Sequence, residues 1–112
     1  MAKYADLILT GKSGRRYCFQ TWPLATRFRA VGAVYFVTRR VFTNTTFRRA
    51  HHEVIYIGQT ESMSEPLGSD SQIDGFDKRG ANCVCVYPAP EETDRIHMVS
   101  DLIASHSAVP MV

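Results

Sequence analysis

The sequence predicts an α+β domain, a small antiparallel sheet flanked by helices. Three observations predict it. Two runs, Gly32-Ala33-Val34-Tyr35-Phe36-Val37 and Val54-Ile55-Tyr56-Ile57-Gly58-Gln59-Thr60, are apolar, β-branched and aromatic, the composition of strands in a pleated, half-buried sheet. A pair of shorter strand-like runs separated by a turn precedes them. Ile96, Val99, Leu102 and Ile103 then recur at helical spacing near the end of the chain. A chain of 112 residues has room for one core and not for two.

Taken in order, residues 4–9 read as a short strand, Gly11-Lys12-Ser13-Gly14 as a turn, and residues 16–22 as the returning strand. In that second strand Tyr17, Phe19 and Thr21 share one face, and Cys18, Gln20 and Trp22 the other. The turn is not a phosphate-binding loop, because the Gly-x4-Gly-Lys-Ser/Thr spacing is absent and no helical pattern follows. Pro23 ends the hairpin, and residues 23–31 connect it to the strand runs at 33–38 and 54–58. The stretch from Arg39 to Glu53 has little helical period and reads as an extended hairpin loop with some strand continuation. Beyond Gly58, Pro66 and Gly68 interrupt any helix capped by Ser62 or Ser64. Residues 70–79 can form a helix that presents Ile73 and Phe76 and stops at Gly80. Residues 82–87 are a strand, Pro88-Ala89-Pro90 breaks it, and a helix is expected from about 91 to 106, with early acids favouring its N-terminus.

The net charge of +2 conceals a division. Residues 1–52 carry ten Lys and Arg against Asp6 alone, whereas residues 53–112 carry ten acids against Lys78, Arg79 and Arg95. A half-chain this basic suits a phosphate backbone, and Phe42 and Phe47 add rings that can stack on bases. The two halves can equally neutralise each other across the fold. No stretch approaches the roughly 18 apolar residues of a membrane span, and no signal-peptide pattern opens the chain, so a cytoplasmic location and no membrane partner are expected.

The strand pair, with Tyr56-Ile57-Gly58 and the less regular Gly32-Ala33-Val34-Tyr35, resembles the GIY-YIG nuclease superfamily. The resemblance covers about 80 residues from Gly32 onward, whose expected order is β-β-α-β-α. It implies a sheet of the GIY-YIG type with an added N-terminal β-hairpin. Residues 1–31 are then the hairpin and connector, and residues 32–112 the core, within one compact unit. It also implies two antiparallel strands that bring the hydroxyls of Tyr35 and Tyr56 to one catalytic face. The family's mechanism is metal-assisted phosphodiester hydrolysis, with an arginine to steady the phosphate and a glutamate to hold a divalent ion.

Those two partners are missing. After Gln59-Thr60, Pro66-Leu67 stands where Arg-Leu is implied, and Val99 stands where the glutamate precedes Leu102-Ile103. Asp101 lies two residues from Val99, a rotation of about 200° around a helix, and is no substitute. Glu65, Asp70, Arg79, Arg39 and Arg40 are the remaining candidates for relocated groups. The resemblance with its gaps implies a catalytically inactive domain that serves as a nucleic-acid-binding or interaction module, and the charge division assigns contact with DNA or RNA to Arg39, Arg40, Arg48 and Arg49. An active endonuclease needing Mg²⁺ or Mn²⁺ and a protein–protein or self-associating adaptor are the alternatives. No cofactor is expected otherwise.

Cysteine and histidine add little at this level. Cys83 and Cys85 face the same way on a strand, Cys18 is remote, and burial as small hydrophobes is the expected role. His51 and His52 are neighbours on an extended chain, so they point to opposite faces, and a loop position exposes them. His97 and His106 lie about 180° out of phase on the last helix. No metal site is expected.

Overall fold

The structure is a computed structural model that describes residues 3–42, 50–65 and 75–106. Five strands form one sheet: β1 (Leu7–Thr10), β2 (Arg16–Pro23), β3 (Ala33–Phe42), β4 (Ala50–Thr60) and β5 (Cys83–Pro88). A helix, α1 (Glu92–Ser105), follows. The spatial order is β1-β2-β5-β3-β4, and every neighbouring pair is antiparallel. β2 gives its first half to β1 and its second half to β5, pairing Leu7 with Phe19 and Gln20 with Val86. The sheet curls, and α1 lies against β1, β3 and β4, which include both ends of the strand order.

Local sequence accounts for the positions. Residues 33–38 are buried without a break, as are Cys83–Val86, because β3 and β5 are central strands covered on both faces. β2 alternates instead, with Tyr17, Phe19 and Thr21 buried and their neighbours exposed, the period of a strand with one wet face. β3 and β4 extend further than the expected runs, to Phe42 and from Ala50. A register shift falls between Val37 and Thr38, where Tyr56 opposes Val37 and Val54 opposes Thr38, leaving Ile55 as the extra residue of a bulge.

Two packed layers result. On the helix side, Phe19, Phe36, Val34, Cys83, Cys85, Met98 and Leu102 form one core, with the Phe19 and Phe36 rings edge-on at 5.0 Å. On the other side Tyr35, Val37, Ile55, Met63, Phe76, Val84 and Val86 form a second, closed over by Leu24, Phe28 and Val31 of the connector. Each fully buried side chain of this kind contributes about 1.5–3 kcal/mol against the cost of ordering the chain. The helical residues 75–78 carry Phe76 into that second core, and Gly80 follows at φ 76°. Ile73 lies outside the described residues.

The helix spans the expected range, but its buried stripe differs. Arg95, Met98 and Leu102 face the core, Val99 and Ile103 flank it, and Ile96 is 50% exposed. The rotation follows from Arg95, which the apolar period could not reveal. Its Nε donates to Gln59 Oε1 at 2.8 Å, and its Nη1 donates to the carbonyls of Ala89 (3.0 Å) and Pro90 (2.8 Å). A buried guanidinium thereby joins the helix to β4 and to the proline break, satisfied by neutral oxygens rather than a carboxylate.

Candidate functional site

The β3–β4 pairing brings the two tyrosines to one face. Tyr35 opposes Gly58 and Tyr56 opposes Val37, so the rings meet diagonally, 6.0 Å apart. The glycine makes this contact feasible. A Cβ at Gly58 would lie 2.7 Å from the Tyr35 hydroxyl and 2.8 Å from Tyr56 Cε1. The pair does not form an open face. Tyr35 is 3% exposed, and Tyr56 is half-buried with its ring 5.4 Å from that of Phe76. Burial, then the charge and hydrogen bond of Tyr56, push the Tyr35 hydroxyl well above the ordinary tyrosine range.

Val99 packs into the helix-side core, on the sheet face opposite the tyrosines. Asp101 is committed elsewhere. It accepts from Ser13 N, Ser13 Oγ and Tyr17 Oη, each at 2.8 Å, and so clamps the β1–β2 turn to α1. Glu65 is exposed and lines a hollow of about 530 Å³ with Leu24, Arg27 and Met63. Pro66 and Asp70 lie outside the described residues.

The expected phosphate-binding arginines divide. Arg39 bonds Glu53 at 3.0 Å, both about half-exposed, and the Arg40 guanidinium lies 4.1 Å from the Tyr4 ring centre. Arg48 and Arg49 lie outside the described residues. The structure adds two arginines that the sequence reading did not single out. Arg27 and Arg29, both exposed, stand beside Trp22 and Phe28 at a groove of about 350 Å³ floored by Val86. Trp22 and Phe28 meet edge-on at 6.1 Å, and the buried Trp22 Nε1 has no partner among the described residues.

A second cluster lies on the helix side of the sheet. Cys83 and Cys85 both face this way from β5, as the strand period requires, and both are wholly buried. His52 belongs to β4 rather than to a loop, and it is half-buried where exposure was expected. It reaches across β3, where the small residue Thr38 opposes Cys83 and its Oγ1 lies 2.9 Å from His52 Nδ1. Thr21 Oγ1 donates to Cys85 Sγ at 3.7 Å. One donor atom from each of His52, Cys83 and Cys85 falls within 4.8 Å of the other two.

The two neighbouring thiols are shifted in opposite directions. Cys85, then His52 and Thr38, lowers the Cys83 thiol against the effect of burial. Cys83, then burial, raises Cys85, since a second thiolate cannot form beside the first. Chain separation hid this cluster: one strand of the sheet, β3, and about 30 residues of sequence lie between His52 and the thiols. The only available signal was the i, i+2 cysteine pair.

Comparison with protein-family models, with curated proteins and with solved structures found no match for this chain. No helix among the described residues is long and apolar enough to cross a membrane.

Proposed function

We propose that this chain is a GIY-YIG-like domain that does not hydrolyse phosphodiesters and that binds nucleic acid through the cations of its basic half. The order of elements from β3 onward, hairpin, helical turn, strand and helix, agrees with that family's order. Gly58 beneath the Tyr35 ring gives the Tyr-Ile-Gly motif a physical reason.

The observation that carries the loss of hydrolysis is the burial of Tyr35. Tyr35, 3% exposed and with its hydroxyl pKa raised by burial, cannot take a proton from an attacking water near neutral pH. Nor, among the described residues, does a carboxylate set stand beside it. Among the described residues, the one group of three or more metal-binding side chains is His52, Cys83 and Cys85, on the opposite face.

Binding rests on charge and on the groove. Lys12, Arg15, Arg16, Arg27 and Arg29 are exposed, and the last two border the rings of Trp22 and Phe28. Cations beside aromatic faces suit a single strand, whose phosphates and unstacked bases they can engage together.

The test is a fluorescence titration with a labelled single-stranded oligonucleotide across a salt series, run beside a cleavage assay in Mg²⁺ and in Mn²⁺. Affinity should fall steeply with salt, and the double variant Arg27→Ser, Arg29→Ser should weaken binding about tenfold or more. The DNA should stay intact. Metal-dependent cleavage that Tyr56→Phe abolishes would overturn the inactive reading, and salt-insensitive or absent binding would overturn the nucleic-acid reading.

A further inference from the structure

We propose that His52, Cys83 and Cys85 form a binding site for a Zn²⁺ ion on the helix-covered face of the sheet. The site is independent of the nuclease-like reading, because it shares no residue with the tyrosine pair or with the arginine groove.

The donor set comes first. Two thiols and an imidazole are soft to borderline ligands, the combination that thiophilic d¹⁰ ions select over Mg²⁺ or Ca²⁺. Their donor atoms already lie within 4.8 Å of one another. A tetrahedral ion with bonds of about 2.0–2.3 Å brings its donors to roughly 3.5–3.8 Å. A contraction of about 1 Å separates this arrangement from a bound ion's ligand shell. The two cysteines need no rearrangement of the backbone, since both project to this face from a central strand.

The surroundings are those of a held site. Thr38, fully buried between the two contributing strands, fixes the imidazole through Nδ1 at 2.9 Å, and Thr21 contacts Cys85 Sγ. Partners of this kind orient ligands in metal sites. A histidine whose ring crosses a neighbouring strand to meet two buried thiols is also an expensive way to fill a core, where an apolar side chain needs no polar partner.

On binding, the coordinated thiols lose their S–H protons to solvent as Zn–S bonds form, and no electron is transferred. Three protein donors leave the fourth tetrahedral position to a water. The ion ties the edge strand β4 to the central strand β5 over the top of β3. That end of the sheet borders the long β3–β4 hairpin.

The experiment uses the full chain, purified under reducing conditions, stripped with chelator and titrated with Zn²⁺ against a chromophoric competitor. One ion per chain should bind, and Co²⁺ in its place should give a thiolate-to-metal charge-transfer absorption in the near ultraviolet. Cys83→Ser and His52→Gln should each weaken binding at least about tenfold. Cys18→Ser, on the exposed face of β2, should leave it unchanged. The absence of stoichiometric binding overturns the proposal, as does binding that survives both ligand variants or follows Cys18. Should Cys83→Ser fail to fold, His52→Gln decides alone, because its half-buried position tolerates an isosteric amide.

Discussion

The two faces of the β3–β4–β5 sheet hold two clusters of reactive side chains that became recognisable in opposite ways. On one face Tyr35 and Tyr56 belong to contiguous motifs, and their chemistry is closed off: the rings touch, and the first hydroxyl is buried and held protonated. On the other, His52, Cys83 and Cys85 belong to no motif, yet their donor atoms converge. A motif read along the chain reports which fold the backbone can adopt. Reactivity depends on burial and on neighbours that arrive from elsewhere in the sheet, so the better-written cluster is the quieter one.

The largest expected difference between the faces is mechanical. Phe36 is fully buried in a central strand against Phe19 and under α1, so Phe36→Ala should cost about 3–5 kcal/mol in urea unfolding. Phe76 is also buried, but it sits on a short helical turn that can move inward after truncation. Phe76→Ala should therefore cost less, about 2–3 kcal/mol, because a collapsing site leaves a smaller cavity. Equal losses would show that the tyrosine-side layer is as rigid as the helix-side layer.

Arg95 supplies the next test. Arg95→Met keeps most of the apolar stem but leaves the oxygens of Gln59, Ala89 and Pro90 without their donor. A loss of about 1–3 kcal/mol is expected. Gln59→Ala should cost less, because Arg95 keeps its two carbonyl acceptors. If Arg95→Met is neutral, the guanidinium is not what sets the rotation of the helix.

How far the sequence carried these layers depends on the range of the interactions. The hairpin, the central strands, the helix and the inward set Tyr17, Phe19 and Thr21 follow from period-2 and period-3.6 patterns, which are local. Val99, Leu102 and Ile103 of the expected stripe pack on the core, but Ile96 does not, because a charged residue, Arg95, takes the buried place and apolar counting skips such a position. His52 was read as a loop residue because Thr, Arg and His between residues 38 and 53 dilute the apolar signal, although His52 opposes Arg40 in the β3–β4 ladder and its ring reaches the Thr38 hydroxyl. The groove of Trp22, Phe28, Arg27 and Arg29 forms only when the connector folds back over β2 and β5, a placement with no periodic signature.

A smaller effect probes how tightly the tyrosines are sealed. Gly58→Ala puts a methyl 2.7 Å from the Tyr35 hydroxyl, and the crowding should cost about 1–3 kcal/mol. Tyr35→Phe removes only the hydroxyl and should cost about 1 kcal/mol or less. Together the two substitutions should cost less than their sum, because the phenyl ring relieves part of the clash. Strict additivity in a double-mutant cycle would show that the ring has room to move and that the face is not closed.

Asp101 gives the weakest effect but separates the faces by pH. It is the carboxylate nearest in sequence to Val99, and the structure spends it on the helix side. Hydrogen bonds from the Ser13 backbone N–H and hydroxyl, then from Tyr17, hold its pKa below the ordinary 3.8. A carboxylate with a lowered folded pKa stabilises the protein fully above its unfolded pKa. That contribution fades as the pH falls through the folded value. Asp101→Asn should therefore lower the urea midpoint at pH 7, with the gap to the parent chain narrowing below about pH 4 as the parent's own carboxylate protonates. A gap that stays constant from pH 7 to pH 3 would mean that the clamp works through the number of its acceptor oxygens, which the amide reduces, and not through its charge.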